Sequence, residues 1–273
     1  MARTPTIVIV GAARGIGRAT ALLFAERGYD VALLATQGRA TEQLAKQLRQ
    51  MGRRVVAIAV DATDVAALRR SVRQCLLELG AIDVLANCSG LYMGGSAERS
   101  DLEDWHRVLD VNFWSCANAI HCLLPYFVGR GRGAIVNVGS FGGQVPLPRM
   151  AAYCASRYAV MGLTESLRAE LAPKGVRVGL VHPGLQRVED WSAASSAVSS
   201  VAAATGQDLT KRPAASWLGR PEEVAEAIWQ IVAEERSEVV LGPDQPVPEE
   251  AYHLLPVLLQ RTAQHPEWFS EES

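Results

Sequence analysis

Thr6-Ile-Val-Ile-Val10-Gly11-Ala-Ala-Arg14-Gly15-Ile16-Gly17 is the stretch that decides the fold. Its first five residues are β-favouring and apolar without alternation, as in a strand covered on both faces. A glycine-rich turn follows, and the pattern from Ile16 to Arg27 has a helical period. Glycines at such a turn allow a tight reversal and let backbone N–H groups approach a pyrophosphate at the helix N-terminus. The spacing here is GxxxGxG rather than the GxGxxG of many dinucleotide sites. Its weight comes from the strand–turn–helix context, not from the glycines alone.

The same rhythm repeats along the chain. Strands are expected at Thr6–Val10, Val31–Ala35, Val55–Val60, Val84–Ala86, Ala134–Val138, Val176–Val181 and Glu238–Leu241. Helices are expected at Ile16–Arg27, Thr41–Met51, Val65–Leu79, Leu102–Val128, Ala151–Ala172 and Glu222–Glu234. This alternation implies right-handed crossovers and an α/β fold, a single doubly wound domain over residues 1–273 with a mostly parallel seven-stranded sheet and helices on both faces. Residues 188–216, rich in Ala and Ser after a strand end, read as a candidate substrate lid or a loose surface helix. The apolar tail 249–273 is expected to pack on the body or on a partner subunit.

With 273 residues, 49% of them hydrophobic, the chain can bury a large core. A formal net charge of -2 gives no electrostatic case for nucleic acid or an anionic membrane. No apolar run reaches the roughly 20 residues needed to span a bilayer. The N-terminus lacks a signal-peptide pattern, and five scattered cysteines without CxxC spacing point to a reduced, cytoplasmic protein. The five histidines are dispersed and show no zinc spacing, so no metal site is expected.

The end of the second strand bears on the cofactor. A carboxylate about 20 residues beyond the glycines would bind a ribose 2′-hydroxyl, but Leu34-Ala-Thr36-Gln-Gly-Arg39 has none, and Asp30 lies at the wrong end of that strand. Arg14 and Arg39 can balance a 2′-phosphate, with Thr36 as a hydrogen-bond donor. NADP(H) is therefore the preferred cofactor; as solvated surface arginines, the same pair would leave NAD(H) possible.

Tyr153-Cys-Ala-Ser-Arg157 places a phenol and a cation four residues apart, on one face if the segment is helical. A phenol has an ordinary pKa of about 10, and an adjacent cation favours its charged form. As an isolated pentapeptide this reads first as a surface cation–aromatic pair on an ordinary helix. In the context of the Gly11/Gly15/Gly17 loop, Asp61 after the third strand, Asn87-Cys88-Ser89-Gly90 after the fourth, Asp104 to Asn112, Ile135 to Ser140 and Pro183-Gly184, the chain resembles the short-chain dehydrogenase/reductase family over nearly its whole length.

That resemblance implies a Rossmann-type fold and an oxidoreductase moving hydride between the nicotinamide cofactor and a carbonyl or secondary alcohol. It implies Ser140, Tyr153, Arg157 and Asn112 as the catalytic set. Tyr153 would be the general acid/base, Ser140 would hold the substrate oxygen, and Asn112 would support a proton-relay water or serve as a buried structural residue. The cofactor would meet Gly11, Arg14, Gly15, Ile16, Gly17, Thr36, Asp61, Ala62, Asn87, Ser89, Gly90, Tyr153, Arg157, Pro183 and Gly184. The family's Tyr-x-x-x-Lys is broken here, because position 157 is Arg, and Val188 replaces a Thr after Pro-Gly. A non-catalytic NADP(H)-binding sensor or scaffold subunit is the alternative these departures raise. Tyr92, Met93, Phe141, Val145, Leu147, Met150, Leu185 and Trp191 would line an apolar substrate cleft. Self-association as a homo-oligomer, dimer or tetramer, is expected through the long fourth and fifth helices.

Overall fold

The computed structural model describes residues 3–144, 149–184 and 219–241. The expected lid and the C-terminal tail therefore lie outside the described residues, as do Val145, Leu147, Leu185, Val188 and Trp191. Seven parallel strands form one sheet in the order β3-β2-β1-β4-β5-β6-β7. They are β1 (Thr6–Val10), β2 (Asp30–Ala35), β3 (Val55–Ala59), β4 (Val84–Asn87), β5 (Gly133–Val138), β6 (Val176–Pro183) and β7 (Glu238–Leu241). The helices are α1 (Gly15–Glu26), α2 (Gly38–Gln50), α3 (Val65–Leu79), α4 (Leu102–Leu109), α5 (Ser115–Arg130), α6 (Ala151–Leu171) and α7 (Pro221–Ala233).

Alternate strand residues feed two separate cores. Ile7 and Ile9 of β1, with Val31 and Leu33 of β2, pack against α1, α2 and α7. Val8, Val10, Ala32 and Leu34 face the opposite way, against α3, α5 and the end of α6. This is the period-2 geometry of a strand with both faces apolar, and it accounts for the unbroken hydrophobic runs. The order reverses at β1, which lies between β2 and β4. Ligand crevices of open parallel sheets form at such a switch point, beyond the carboxyl ends of the strands.

The expected single helix from Leu102 to Val128 is two helices joined by a π turn over Asp110–Trp114. The N–H of Ser115 reaches back five residues to the Asp110 carbonyl. The Val111 carbonyl, thereby left without its usual i+4 partner, accepts the Ser115 hydroxyl at 2.6 Å. A serine that caps an interior carbonyl makes the bulge tolerable, while the hydrophobic period of the sequence runs straight through it.

Asp83, just before β4, ties three elements together at the opposite end of the sheet. It accepts from the Arg3 guanidinium at 2.5 and 2.7 Å, from the Thr6 N–H at 2.9 Å and from Arg130 of α5 at 3.3 Å. Burial works against its charge, but the Arg3 hydrogen bond, the Thr6 N–H and the two arginines hold its carboxyl below the usual carboxylate range. A depressed native value contributes stability above the unfolded value of about 3.9, and that contribution is lost as pH falls through the native value. Asp83→Asn should lower the melting temperature at pH 7 and flatten the acid limb of stability against pH, measured by thermal denaturation between pH 3 and pH 7.

Candidate active site

The first half of the site is the turn between β1 and α1. Gly11 has φ +83°, and a Cβ there would come 2.7 Å from the Ser89 backbone nitrogen. The loops after β1 and β4 therefore touch only because position 11 has no side chain. A Cβ on Gly17 would overlap the Gly11 carbonyl, so α1 starts against its own turn. Gly15 opens α1, with nothing within 4 Å of where its side chain would be. Arg14 is the N-cap in extended conformation, its side chain makes no cap hydrogen bond, and the first turn carries no acidic residue. Unsatisfied N–H groups, positive end-charge and open space suit an anionic diphosphate. Ile16 is half-buried against the core, anchoring the turn from beneath.

Around this turn lie the residues expected on the adenosine side. Arg14, Thr36 and Arg39 are all exposed. Asp61 is exposed too, and its Oδ1 accepts from the Thr63 N–H at 2.9 Å and the Thr63 hydroxyl at 2.8 Å. The carbonyl of Ala62 accepts from Asn118 of α5 at 3.0 Å. Asn118 thus pins the loop after β3, a function no local pattern announces. Asn87 turns its side chain inward, with Nδ2 donating to Asn137 Oδ1 at 2.8 Å, and Asn137 in turn donates to Thr164 of α6 at 2.9 Å. Asn87 Oδ1 is buried without a partner among the described residues.

The second half of the site is the meeting of the β5 exit with α6. Ser140, buried at 8% exposure, accepts at Oγ from the Gly142 N–H at 3.2 Å, which leaves its O–H proton free to donate. A Cβ on Gly142 would lie 3.2 Å from Cε1 of Tyr153, and one on Gly143 would lie 3.0 Å from the Arg157 carbonyl oxygen. Two successive glycines therefore bring the Ser140 turn flush against the face of α6 that carries Tyr153 and Arg157. Sequence reading passed over this pair; its trace was the doubled glycine directly after the serine.

Arg157 does not reach into solvent. It is 6% exposed, Nη1 donates to the Val138 carbonyl at 3.2 Å, and Cζ stands 5.3 Å from the Tyr153 ring centroid. Its Nη2 occupies the space that a Gly90 side chain would fill, and Nε is buried without a partner among the described residues. Helical i, i+4 spacing thus delivers the pairing expected from the sequence. Tyr153 also stacks with Tyr92, with centroids 4.5 Å apart and planes at 30°. Burial first, and then Tyr153, push the Tyr92 phenol far above its ordinary value, so it stays neutral. Met93, Phe141 and Met150 join the same small apolar cluster around Tyr153. Pro183 and Gly184 close β6 at this edge.

Asn112 lies in the π turn and is 1% exposed. Its Oδ1 accepts from Leu91 N–H at 2.6 Å, and Nδ2 donates to the Leu91 carbonyl at 3.0 Å and to Ser156 Oγ at 2.9 Å. Both amide protons are thereby used, which makes the side chain a clamp between the β4 loop and α6. None of the five cysteines forms a disulfide. Burial pushes the thiols of Cys75, Cys88 and Cys116 up to about 12. No cluster of potential metal ligands occurs among the described residues, and no helix among them is long and apolar enough to cross a membrane.

A switch-point glycine turn facing a serine, a tyrosine and a cation at the same sheet edge defines a nucleotide-dependent oxidoreductase of the doubly wound class. Residues 5–198 match the short chain dehydrogenase family model, and the chain belongs to that family. It is 32% identical over 240 residues to a 3-oxoacyl-acyl-carrier-protein reductase of Thermotoga maritima, covering 87% of this chain and 95% of that one. It is 29% identical over 232 residues to a cyclohexanol dehydrogenase of an Acinetobacter strain, covering 84% and 88% respectively. Among solved structures, a 3-oxoacyl-acyl-carrier-protein reductase from Brucella melitensis with bound NAD superposes with a TM-score of 0.73 at 29% identity, covering 88% of this chain and 91% of that one.

Asn112→Ala should destabilise the chain by about 2–3 kcal/mol, because the half-buried Leu91 loses the partners of its N–H and carbonyl and the buried Ser156 hydroxyl loses a donor. Urea denaturation checks this.

Proposed function

We propose that the chain reduces a carbonyl compound, or oxidises the matching secondary alcohol, with NADP(H) as the preferred cofactor. The observation that carries this reading is the packing of Ser140, Tyr153 and Arg157 through Gly142 and Gly143 at the carboxyl end of β5. When bound, the cofactor supplies or accepts the hydride. Gly11, Gly15, Ile16, Gly17, Asn87, Ser89 and Gly90 would form its cradle at the switch point, with Asp61 and Ala62 beside the adenine and Pro183-Gly184 beside the nicotinamide.

Ser140 holds the substrate oxygen by donating its unused O–H proton. Tyr153 gives the phenolic proton to the oxygen as it gains negative charge, or takes it in the reverse direction. Arg157 keeps a fixed positive charge against the ring and favours the charge that develops on the phenol oxygen. It effectively never deprotonates, so it cannot hand a proton on as an amine can. With the Asn112 side chain spent on Leu91 and Ser156, Tyr153 is reprotonated by water entering the cleft. The apolar cluster of Tyr92, Met93, Phe141 and Met150 favours an uncharged, apolar substrate.

Cofactor choice rests on the missing carboxylate after β2 and on Arg14 and Arg39, both exposed and available to a 2′-phosphate. The Brucella relative carries NAD, which makes NAD(H) the second reading. Initial rates with a panel of apolar ketones should be higher with NADPH than with NADH, and Arg14→Ala should erase most of that difference. A chain that binds NADPH but turns over no carbonyl would instead be a sensor or scaffold subunit. Tyr153→Phe should lower kcat by roughly 10²–10⁴-fold with NADPH affinity retained.

A further inference from the structure

Leu91-Tyr-Met-Gly-Gly95, the strap that follows β4, is fastened at both ends to the start of α6. At its near end Leu91 is gripped by Asn112, whose Nδ2 also donates to Ser156 Oγ. The Ser156 hydroxyl donates in turn to the carbonyl of Tyr153 itself, at 2.7 Å. At the far end the Gly95 N–H donates to the Arg149 carbonyl at 2.7 Å. Both residues of this second fastening hold unusual backbones: Gly95 at φ +155°, and Arg149, which carries a side chain, at φ +62°. A strained residue persists where its surroundings over-determine it. The next residue, Met150, is 1% exposed, and its carbonyl accepts the Cys154 N–H at 2.8 Å. The strap is thus tied to the same helical turn that carries Tyr153.

Between the two fastenings Tyr92 stacks on Tyr153, and Met93 packs in the same cluster. Three segments therefore bound the Tyr153 ring. Arg157 lies one turn further along α6, with Cζ 5.3 Å from the ring centroid. Gly142 comes from the turn after β5, where a Cβ would lie 3.2 Å from Cε1. Tyr92 comes from the strap, at 4.5 Å between centroids. A phenol hydroxyl lies on the axis of the ring's own torsion, so spinning the ring leaves it in place. Rotation about the first side-chain torsion swings it by the full length of the side chain. A wall against the ring limits that swing. A second aromatic ring makes the better wall, because it is rigid and stacks at a preferred offset and separation.

We propose that Tyr92 is a positioning residue: the strap holds its ring against Tyr153 so that the Tyr153 hydroxyl stays within reach of the substrate oxygen. This rests on the reading of Tyr153 as the proton donor. The ring of Tyr92 carries the effect, not its hydroxyl. Without that ring, Tyr153 visits rotations from which its proton does not reach the oxygen, and proton donation slows. Substrate binding, which depends on Ser140 and the apolar cluster, changes less.

The test has two arms on the full-length chain. The first needs no substrate. With 13C-labelled tyrosine, the ring signal of Tyr153, assigned among the six tyrosines from its loss in Tyr153→Phe, should be shifted upfield by the Tyr92 ring current. It should move downfield in Tyr92→Met, and an unmoved signal overturns the proposal. In the second arm, single-turnover oxidation of NADPH by a turned-over ketone should slow on the order of tenfold in Tyr92→Met, with KM less affected. Its solvent deuterium isotope effect should rise, because proton donation becomes the slower step. A smaller folded fraction would lower the amplitude and leave the isotope effect where it was. Tyr92→Phe, which keeps the ring, should recover both the rate and the isotope effect. A Tyr92→Phe chain as slow as Tyr92→Met overturns the proposal, since the hydroxyl then does the work. A parent-like isotope effect in Tyr92→Met overturns it too. Tyr92→Leu replaces Tyr92→Met in both arms if the latter does not fold. If no carbonyl compound is turned over, or Tyr153→Phe keeps the parent rate, the reading of Tyr153 fails, while the first arm still decides whether its ring is held by Tyr92.

Discussion

A buried guanidinium organises the carboxyl edge of this sheet. Among the described residues Arg157 has no carboxylate within ion-pair distance, and its charge is met by the Val138 carbonyl, the Tyr153 ring and the empty flank of Gly90. Taking a charge out of water is costly unless polar groups surround it. Every neighbour is therefore constrained: Gly90 and Gly143 cannot carry side chains, β5 must end where its carbonyl points at α6, and Tyr153 must lie flat beside the cation. An apolar residue at 157 would relieve the desolvation cost and remove the reason for those constraints together. Under the proposed function, so expensive a residue beside the Tyr153 ring is kept for its charge rather than for stability.

The fold was nearly all legible in the sequence because its signal is redundant. The inner strands are buried on both faces, so their apolar runs are continuous, and each of the seven strands appears within two residues of its expected bounds. The exception is the stretch from Leu102 to Val128. A π turn adds one residue to a helix without breaking its hydrophobic stripe, and the residue that makes it possible, Ser115, is a single hydroxyl answering a single carbonyl. Nothing local distinguishes that serine from any other on a helix.

The site divides in the same way. Gly11, Gly17, Ser140, Tyr153 and Arg157 belong to patterns with fixed spacing, and the chain brings them to one edge. Asn118, Gly142, Gly143 and Tyr92 act through partners between 10 and about 60 residues away in sequence, across strand or helix boundaries, and no spacing encodes such pairs. Asn112 shows the difference between locating a residue and assigning its work: the pattern found it, but only its three bonds to Leu91 and Ser156 show that its amide is already committed.

The two halves of the crevice differ in how they resist change. Arg14, Thr36, Arg39 and Asp61 are exposed, so whatever they contribute to a nucleotide is made in water and screened by salt over roughly 10 Å. Ser140, Tyr153, Arg157 and Asn112 are all buried at 8% exposure or less and interlock through backbone contacts that a shift of a few tenths of an ångström would break. Cofactor preference is then the easily altered property of this chain, open to change by single surface substitutions. The geometry around Tyr153 is the stubborn one. A substitution at position 157 must be accommodated by Gly90, Gly143 and Val138 at once, which explains how an arginine can persist there: the pocket that holds it is shaped to a planar fork, and a shorter ammonium would leave part of that pocket unfilled.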